Sequence, residues 1–209
     1  MSDNNIFSDL LKIERNKIVN MFENLAENAD AGTQRALGQF FMEGELRDFE
    51  KSVKWFKIAA ESGDIDAKYE LASYYLDRYD VVPNEEEGMK YLQQIANQGD
   101  PSAQENLGKC YYYGFLLQKN DEEAAKMFRK AAEQDFEYSQ YMLGSMYYVG
   151  CGVEKDLAKA EYWFNKAADN NWSSAKEIME QLNEHKKNIN ESEEHLNKLE
   201  EIIKDDLCL

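Results

Sequence analysis

Proline and glycine are scarce: two prolines and eleven glycines in 209 residues leave long stretches where nothing interrupts a helix. Histidine is as scarce as proline, with two in the chain. His185 and His195 stand ten residues apart, not at the four-residue spacing that puts two metal ligands on one helix turn. The three cysteines, Cys110, Cys151 and Cys208, are odd in number and form no C-x-x-C pair. That excludes a regular disulfide framework and reads as free thiols in a reducing compartment. The sequons Asn171-Trp172-Ser173 and Asn190-Glu191-Ser192 are then chance matches. No run of eighteen apolar residues exists, so no membrane span is expected. The opening Met-Ser-Asp-Asn-Asn lacks the basic start and apolar block of a signal peptide, and a cytoplasmic location is expected.

Positive charge is the last shortage. Against 41 acidic residues stand 24 basic ones, a net charge of −17. Such a field repels phosphate backbones, which argues against nucleic acid, and favours encounter with a basic protein. Acidity of this size also serves plain solubility. There is no G-x-S-x-G, no H-E-x-x-H, no phosphate-binding loop and no calcium loop. Glu85-Glu86-Glu87 opens a helix, where negative charge suits the dipole. The expectation is a protein without catalytic residues, cofactor or metal.

What the chain does have is a repeat. The small pairs Ala59-Ala60, Ile95-Ala96, Ala131-Ala132 and Ala167-Ala168 recur every 36 residues. In the same register stand a bulky residue (Trp55, Tyr91, Met127, Trp163) and, seven before it, a residue fit to cap a helix (Asp48, Asn84, Asn120, Asp156). A cap of this type accepts from a free amide of the first turn; Asn84 with Glu87 has capping-box spacing. Upstream lies a second helix marked by Leu37-Gly38, Leu71-Ala72, Leu107-Gly108 and Leu143-Gly144, with Phe41, Tyr75, Tyr111 and Tyr147 four beyond each Leu. Leu and aromatic share a helix face, and the small residue admits a close neighbour. Each unit is a hairpin of an A and a B helix, and no hairpin buries its apolar face alone, so the units must stack.

From Leu143-Gly144 through Tyr147, Gly150, Gly152-Val153, Asp156, Lys159-Ala160 and Trp163-Phe164 to Ala167-Ala168, the chain resembles a Sel-1-like repeat, a relative of the tetratricopeptide repeat. The unit with Leu107-Gly108, Gly114, Ala125 and Phe128 is similar, and so is the first, with Leu37-Gly38, Gly44, Trp55-Phe56 and Gly63. The Leu71 unit departs, with Pro83 and Asn84 in place of the glycine-rich loop. The resemblance implies an all-α fold, a right-handed α/α superhelical solenoid of about four hairpins that scaffolds protein complexes, with no catalytic residue to carry over. Gly150-Cys151-Gly152 lies between two helices and is a turn, not a phosphate cradle.

Three segments follow: 1–30 as an N-terminal capping helix and degenerate repeat half, 31–172 as four repeats, and 173–209 as a C-terminal capping helix with a heptad-like tail. Met21-Phe22 and Ala26 precede Trp55-Phe56 and Ala60 by 34 residues, the register of a B helix. The tail seam runs Ile178, Leu182, His185, Ile189, Ser192, Leu196, Leu199, Ile203, which is either a cap over the last repeat or a coiled coil that self-associates or recruits a helix. By analogy with tetratricopeptide arrays the A helices line a concave groove. That nominates Arg35, Gln39 and Met42; then Tyr69, Ser73, Leu76 and Asp77; then Glu105, Lys109, Tyr112 and Tyr113; and last Tyr141, Ser145 and Tyr148. Tyrosine beside polar groups suits protein recognition. The expected function is a non-enzymatic adaptor that holds a protein or peptide; the alternative is an acidic inhibitor or immunity-type protein that neutralises a basic enzyme or toxin. Far-ultraviolet circular dichroism is expected to show helix and almost nothing else, and a substantial β signal would refute the repeat.

Overall fold

The computed structural model describes residues 3–43, 46–77, 84–187, 198–199 and 201–204, and side chains from Ile13 onward except those of 77 and 184–187. Its elements are α1 (Asp3–Ala26), α2 (Ala31–Glu43), α3 (Phe49–Glu61), α4 (Ile65–Asp77), α5 (Glu85–Asn97), α6 (Pro101–Tyr113), α7 (Asp121–Ala132), α8 (Glu137–Val149), α9 (Leu157–Asp169) and α10 (Ser173–Lys187). Among the described residues every regular element is a helix. The chain forms two compact units, Met1–Tyr91 and Leu92–Leu209, with α5 crossing the division.

The hairpins start where the sequence places their caps. Asp48, Asn84, Asn120 and Asp156 accept from the amides of Lys51, Glu87, Glu123 and Lys159 at 3.1, 3.2, 3.1 and 3.0 Å. In three hairpins the cap's own amide donates back to the carbonyl of the A-helix aromatic: Asp48 to Phe41 at 2.8 Å, Asn120 to Tyr111 at 2.9 Å, Asp156 to Tyr147 at 3.0 Å. The first of these loops is two residues shorter, yet it closes with the same bond. Gly150 ends α8 in the left-handed region (φ 83), and Gly152 (φ 65) lies so close to the Asp121 carbonyl that no side chain fits.

Three of the hairpins close on a ring. A Cβ built on Gly38 would come within 2.6 Å of the Phe56 ring; on Gly108 and Gly144 it would come within 2.9 Å of Phe128 and Phe164. All three rings are fully buried. In the first hairpin the Ser52 hydroxyl donates to the Gly38 carbonyl at 2.8 Å, so the tight contact leaves no orphaned acceptor there.

A polar ladder that the sequence reading missed joins successive hairpins of the second unit. Gln104 and Gln140 each donate to the carbonyl eight residues earlier, Ala96 and Ala132, both at 3.1 Å. Gln134 and Asn170 then donate to those glutamine oxygens at 2.9 and 3.0 Å. Both pairs are 36 residues apart, so the repeat period was the available signal. In the first unit Gln34 donates to Ala26 at 3.2 Å, but its side-chain oxygen is buried without a partner. Ser62 stands where Gln134 and Asn170 reach across, and it is too short to do so.

The ends are less regular. α1 packs on α2 through the buried Val19 and Ala26. Leu10 and Leu11 lie outside the described side chains. At the other end Leu199 and Ile203 are buried in the core of the second unit with Ile178, and Leu182 packs against it. The tail positions His185, Ile189, Ser192, Leu196 and Cys208 lie outside the described residues or side chains.

Replacing Gly144 with leucine must displace the Phe164 ring from the backbone of α8. It is expected to destabilise the second unit by about 1–3 kcal/mol. Chemical denaturation measures this, and an unchanged midpoint would mean that the ring does not set the helix spacing.

Candidate functional site

In the first unit the nominated side chains stand on α2 and α4. Arg35 reaches Asp64 and Asp66, each at 3.2 Å, and Gln39 donates to Glu70 at 3.2 Å. Two neighbouring A helices are thereby joined across their inner side. Ser73 is exposed, and Arg35, Gln39 and Tyr69 are half-buried. Met42 is buried in the core beside Phe56 and Leu71 and offers no open surface. Leu76 is half-buried against Gly88. The side chain of Asp77 lies outside those described.

In the second unit α6 carries a connected patch. Glu105 accepts from Lys109 at 2.7 Å and from the Ser139 hydroxyl at 2.9 Å. The Lys109 ammonium lies 4.3 Å from the centre of the Tyr138 ring, a cation–π distance. Tyr113, half exposed, shares a 3.3 Å hydrogen bond with the Tyr138 hydroxyl. Burial, and after it the Tyr113 hydroxyl, raise the pKa of Tyr138, so this phenol stays protonated. Tyr138 sits at the centre of the patch, and sequence reasoning did not find it. No periodic signal pointed there, because Ser102 and Ser174 hold the same register position.

The remaining nominated residues are not open. Tyr112, Tyr141, Ser145 and Tyr148 are buried, and α8 is buried continuously from Ser139 to Tyr148. The Tyr141 ring packs on Phe164 and Trp172 at centroid distances of 5.9 and 6.1 Å. Register alone assigns these positions to a groove, but what else packs on the helix decides their exposure.

Two further hollows lie away from these stripes. One of about 380 Å³ is lined by Arg129, Tyr147, Lys155, Asp156 and Lys159 among others. Arg129 donates to the Tyr147 hydroxyl at 2.8 Å and Lys159 pairs with Asp156 at 2.9 Å, so its charges already have partners. The other, of about 350 Å³, is apolar and lies between α1 and α2, where Phe22 and Phe40 meet edge to face at 6.0 Å. Beside it Met21 and Leu25 are 53% and 66% exposed. The B-helix register explains this: Phe22 corresponds to Phe56, but no described A helix precedes α1 to receive the ring. α1 packs on α2 through Val19 and Ala26 and leaves Met21 and Leu25 exposed.

Among the described residues no group of three or more His, Cys, Asp or Glu is placed to hold a metal. No described helix is long and apolar enough to cross a membrane. Burial, followed by the Asp121 carboxylate, pushes the Cys151 thiol up to about 11; burial also raises Cys110. Folding thus favours the protonated thiol of Cys151. This contribution is complete below the ordinary thiol range and is lost as pH rises through about 11. Iodoacetamide at pH 8 is expected to label Cys151 about a hundredfold more slowly than a free cysteine, read by peptide mass spectrometry. Labelling at the free rate would show that the thiol is neither buried nor beside a carboxylate.

The model of the Sel1 repeat matches residues 32–64, 65–100, 101–136 and 137–172. Among solved structures the chain is similar to a Sel1 repeat protein from Oxalobacter formigenes, with 28% identity, a TM-score of 0.64, and coverage of 76% of this chain and 46% of that one. It is also similar to a protective antigen of uropathogenic Escherichia coli strains that displays an SLR fold, with 27% identity, a TM-score of 0.57, and coverage of 90% and 40%. The chain thus spans less than half the length of either. No curated protein matches it significantly.

Proposed function

This chain belongs to the Sel1 repeat family, and we propose that it is a non-catalytic scaffold that holds another protein against the inner side of its A helices. One observation carries the reading. On α6 the side chains of Glu105, Lys109 and Tyr113 are linked through Tyr138 and Ser139 into one patch that stays accessible. A patch already ordered loses little side-chain entropy when a partner arrives, and tyrosine adds large contact area. The open apolar surface at Met21, Phe22, Leu25 and Phe40 supports protein contact as well, because exposed apolar patches mark interaction surfaces.

The net charge of −17 favours a basic partner and keeps the second reading in view, an acidic inhibitor of one basic enzyme or toxin. The two differ in number of partners and in salt dependence. A scaffold binds several proteins with modest affinity; an inhibitor binds one tightly, with an association rate that falls steeply as salt screens the field.

The test is quantitative capture from the native lysate with the wild type and with a Lys109→Glu/Tyr113→Ala variant of the full chain. Specific partners should be retained at least about tenfold less by the variant while its melting temperature holds, the loss expected when central contacts of an interface are removed. Equal capture by both, or no specific capture by the wild type, would sink the inner-face reading. A single partner lost at high salt would select the inhibitor.

A further inference from the structure

The burial of α8 on every side is out of step with its own repeat register. Met142 is 1% exposed, whereas Asn106, at the same position of α6, is exposed. Ser145 is 0% exposed and Tyr141 4%, whereas Lys109 is half-buried and Glu177 of α10 exposed at the corresponding positions. Packing between neighbouring repeats is common to these helices, so something further covers α8. The described chain contains one candidate. Leu199 and Ile203 are 5% and 0% exposed and belong to the same core as Met142, Met146 and Tyr148. Lys198, Glu201 and Lys204 around them are exposed. Spacing of i and i+4 puts Leu199 and Ile203 on one face of a helical turn, with the charges outward.

We propose that residues 198–204 are an internal ligand of the inner face of α8, and that the partner this face takes is an amphipathic helix with apolar residues at i and i+4, which must displace the tail to bind. The proposal rests on the protein-binding reading above and specifies the partner's chemistry. Two features of the site make the occupant replaceable. The core cluster that holds Leu199 and Ile203 is rich in methionine, with Met142, Met146 and Met179, and methionine repacks around different apolar guests. On the same helix the Ser145 hydroxyl is fully buried without a hydrogen-bond partner, a polar group left unmet while α8 is covered. A competing helix that brings a hydrogen-bonding side chain between its two apolar anchors satisfies that hydroxyl and gains over the tail. Until such a helix arrives the tethered tail holds the face, because its effective concentration is high.

The experiment uses the full chain and a probe of known identity, a fluorescein-labelled peptide of residues 195–209. Wild type should bind it weakly. A Leu199→Asp/Ile203→Asp variant, whose own tail no longer seats, should bind it at least about tenfold more tightly by fluorescence anisotropy, since the competent state is no longer occupied. Equal binding by both folded proteins, or no binding by the folded variant, overturns the proposal. If the variant is unfolded, Leu199→Ala/Ile203→Ala replaces it with the same expectation. If that milder variant also unfolds, the tail is fixed core rather than ligand, and the proposal fails. None of these readouts needs the natural partner, so they can fail while lysate capture succeeds, and the reverse.

Discussion

The contact on which the other features depend is an aromatic ring of a B helix lying on a glycine of its own A helix. Phe56 on Gly38, Phe128 on Gly108 and Phe164 on Gly144 leave no room for a methyl group. A glycine in a helix interior costs about 0.5–1 kcal/mol relative to alanine, while full burial of the ring contributes about 1.5–3 kcal/mol, so the exchange favours the fold. It also fixes how near the two helices lie, and with that the angle at which the loop must return. That is why loops of different length close with the same bond from cap amide to aromatic carbonyl. The second hairpin has Ala72 at the usual glycine position and meets the same demand from the other side. There Gly88 of α5 lies against Leu76 of α4, where a Cβ would come within 2.6 Å.

The parts of this fold legible in the sequence are those that every repeat must solve alike. Leu-small pairs, aromatics and B-helix caps recur because each is dictated within its own hairpin. The A-helix caps follow the same logic but went unread: Asp30, Asp64 and Asp100 accept from Thr33, Ala67 and Ala103 at 2.8, 2.7 and 2.9 Å. Their pattern breaks where Phe136 and Trp172 take the cap position, and the turn glycines Gly63 and Gly99 give way to Asp135 and Asn171, which hold positive φ without glycine. Exposure was the least legible property. Tyr113 stays open while Tyr112, Tyr141 and Tyr148 are buried, although register nominated all four. Periodicity reports which way a side chain leaves its helix, and says nothing of a segment that arrives from far along the chain.

A part of the acidity comes from the repeat itself: five of the 41 acidic residues are aspartate caps. Each hairpin needs a cap for two helices, and here most of those caps are aspartates at helix N-termini, where the dipole stabilises negative charge. Lys159 pairs with its cap Asp156, and its bond to that carboxylate, with that of its amide, lowers the pKa of Asp156 below its ordinary value. Stacking hairpins therefore adds negative charge as a consequence of capping.

The two inner faces of the second unit then ask for different things from one partner. On α6 the patch around Glu105, Lys109 and Tyr113 is polar and already ordered, so it selects by matching charge and hydrogen bonds. On α8 the corresponding positions hold Tyr141, Ser145 and Val149, and beside them Met142 takes the place of Asn106, which makes this face more apolar. An apolar stripe left bare invites nonspecific association; covered by the chain's own Leu199 and Ile203, it becomes available only to a segment that competes with them. Discrimination then rests on a buried polar group that has no partner while the face is covered. Any apolar helix can replace two aliphatic side chains, but only a helix with a hydrogen-bonding group at the right place relieves the buried Ser145 hydroxyl. The cover and the unmet Ser145 hydroxyl together convert an apolar surface into a selective one.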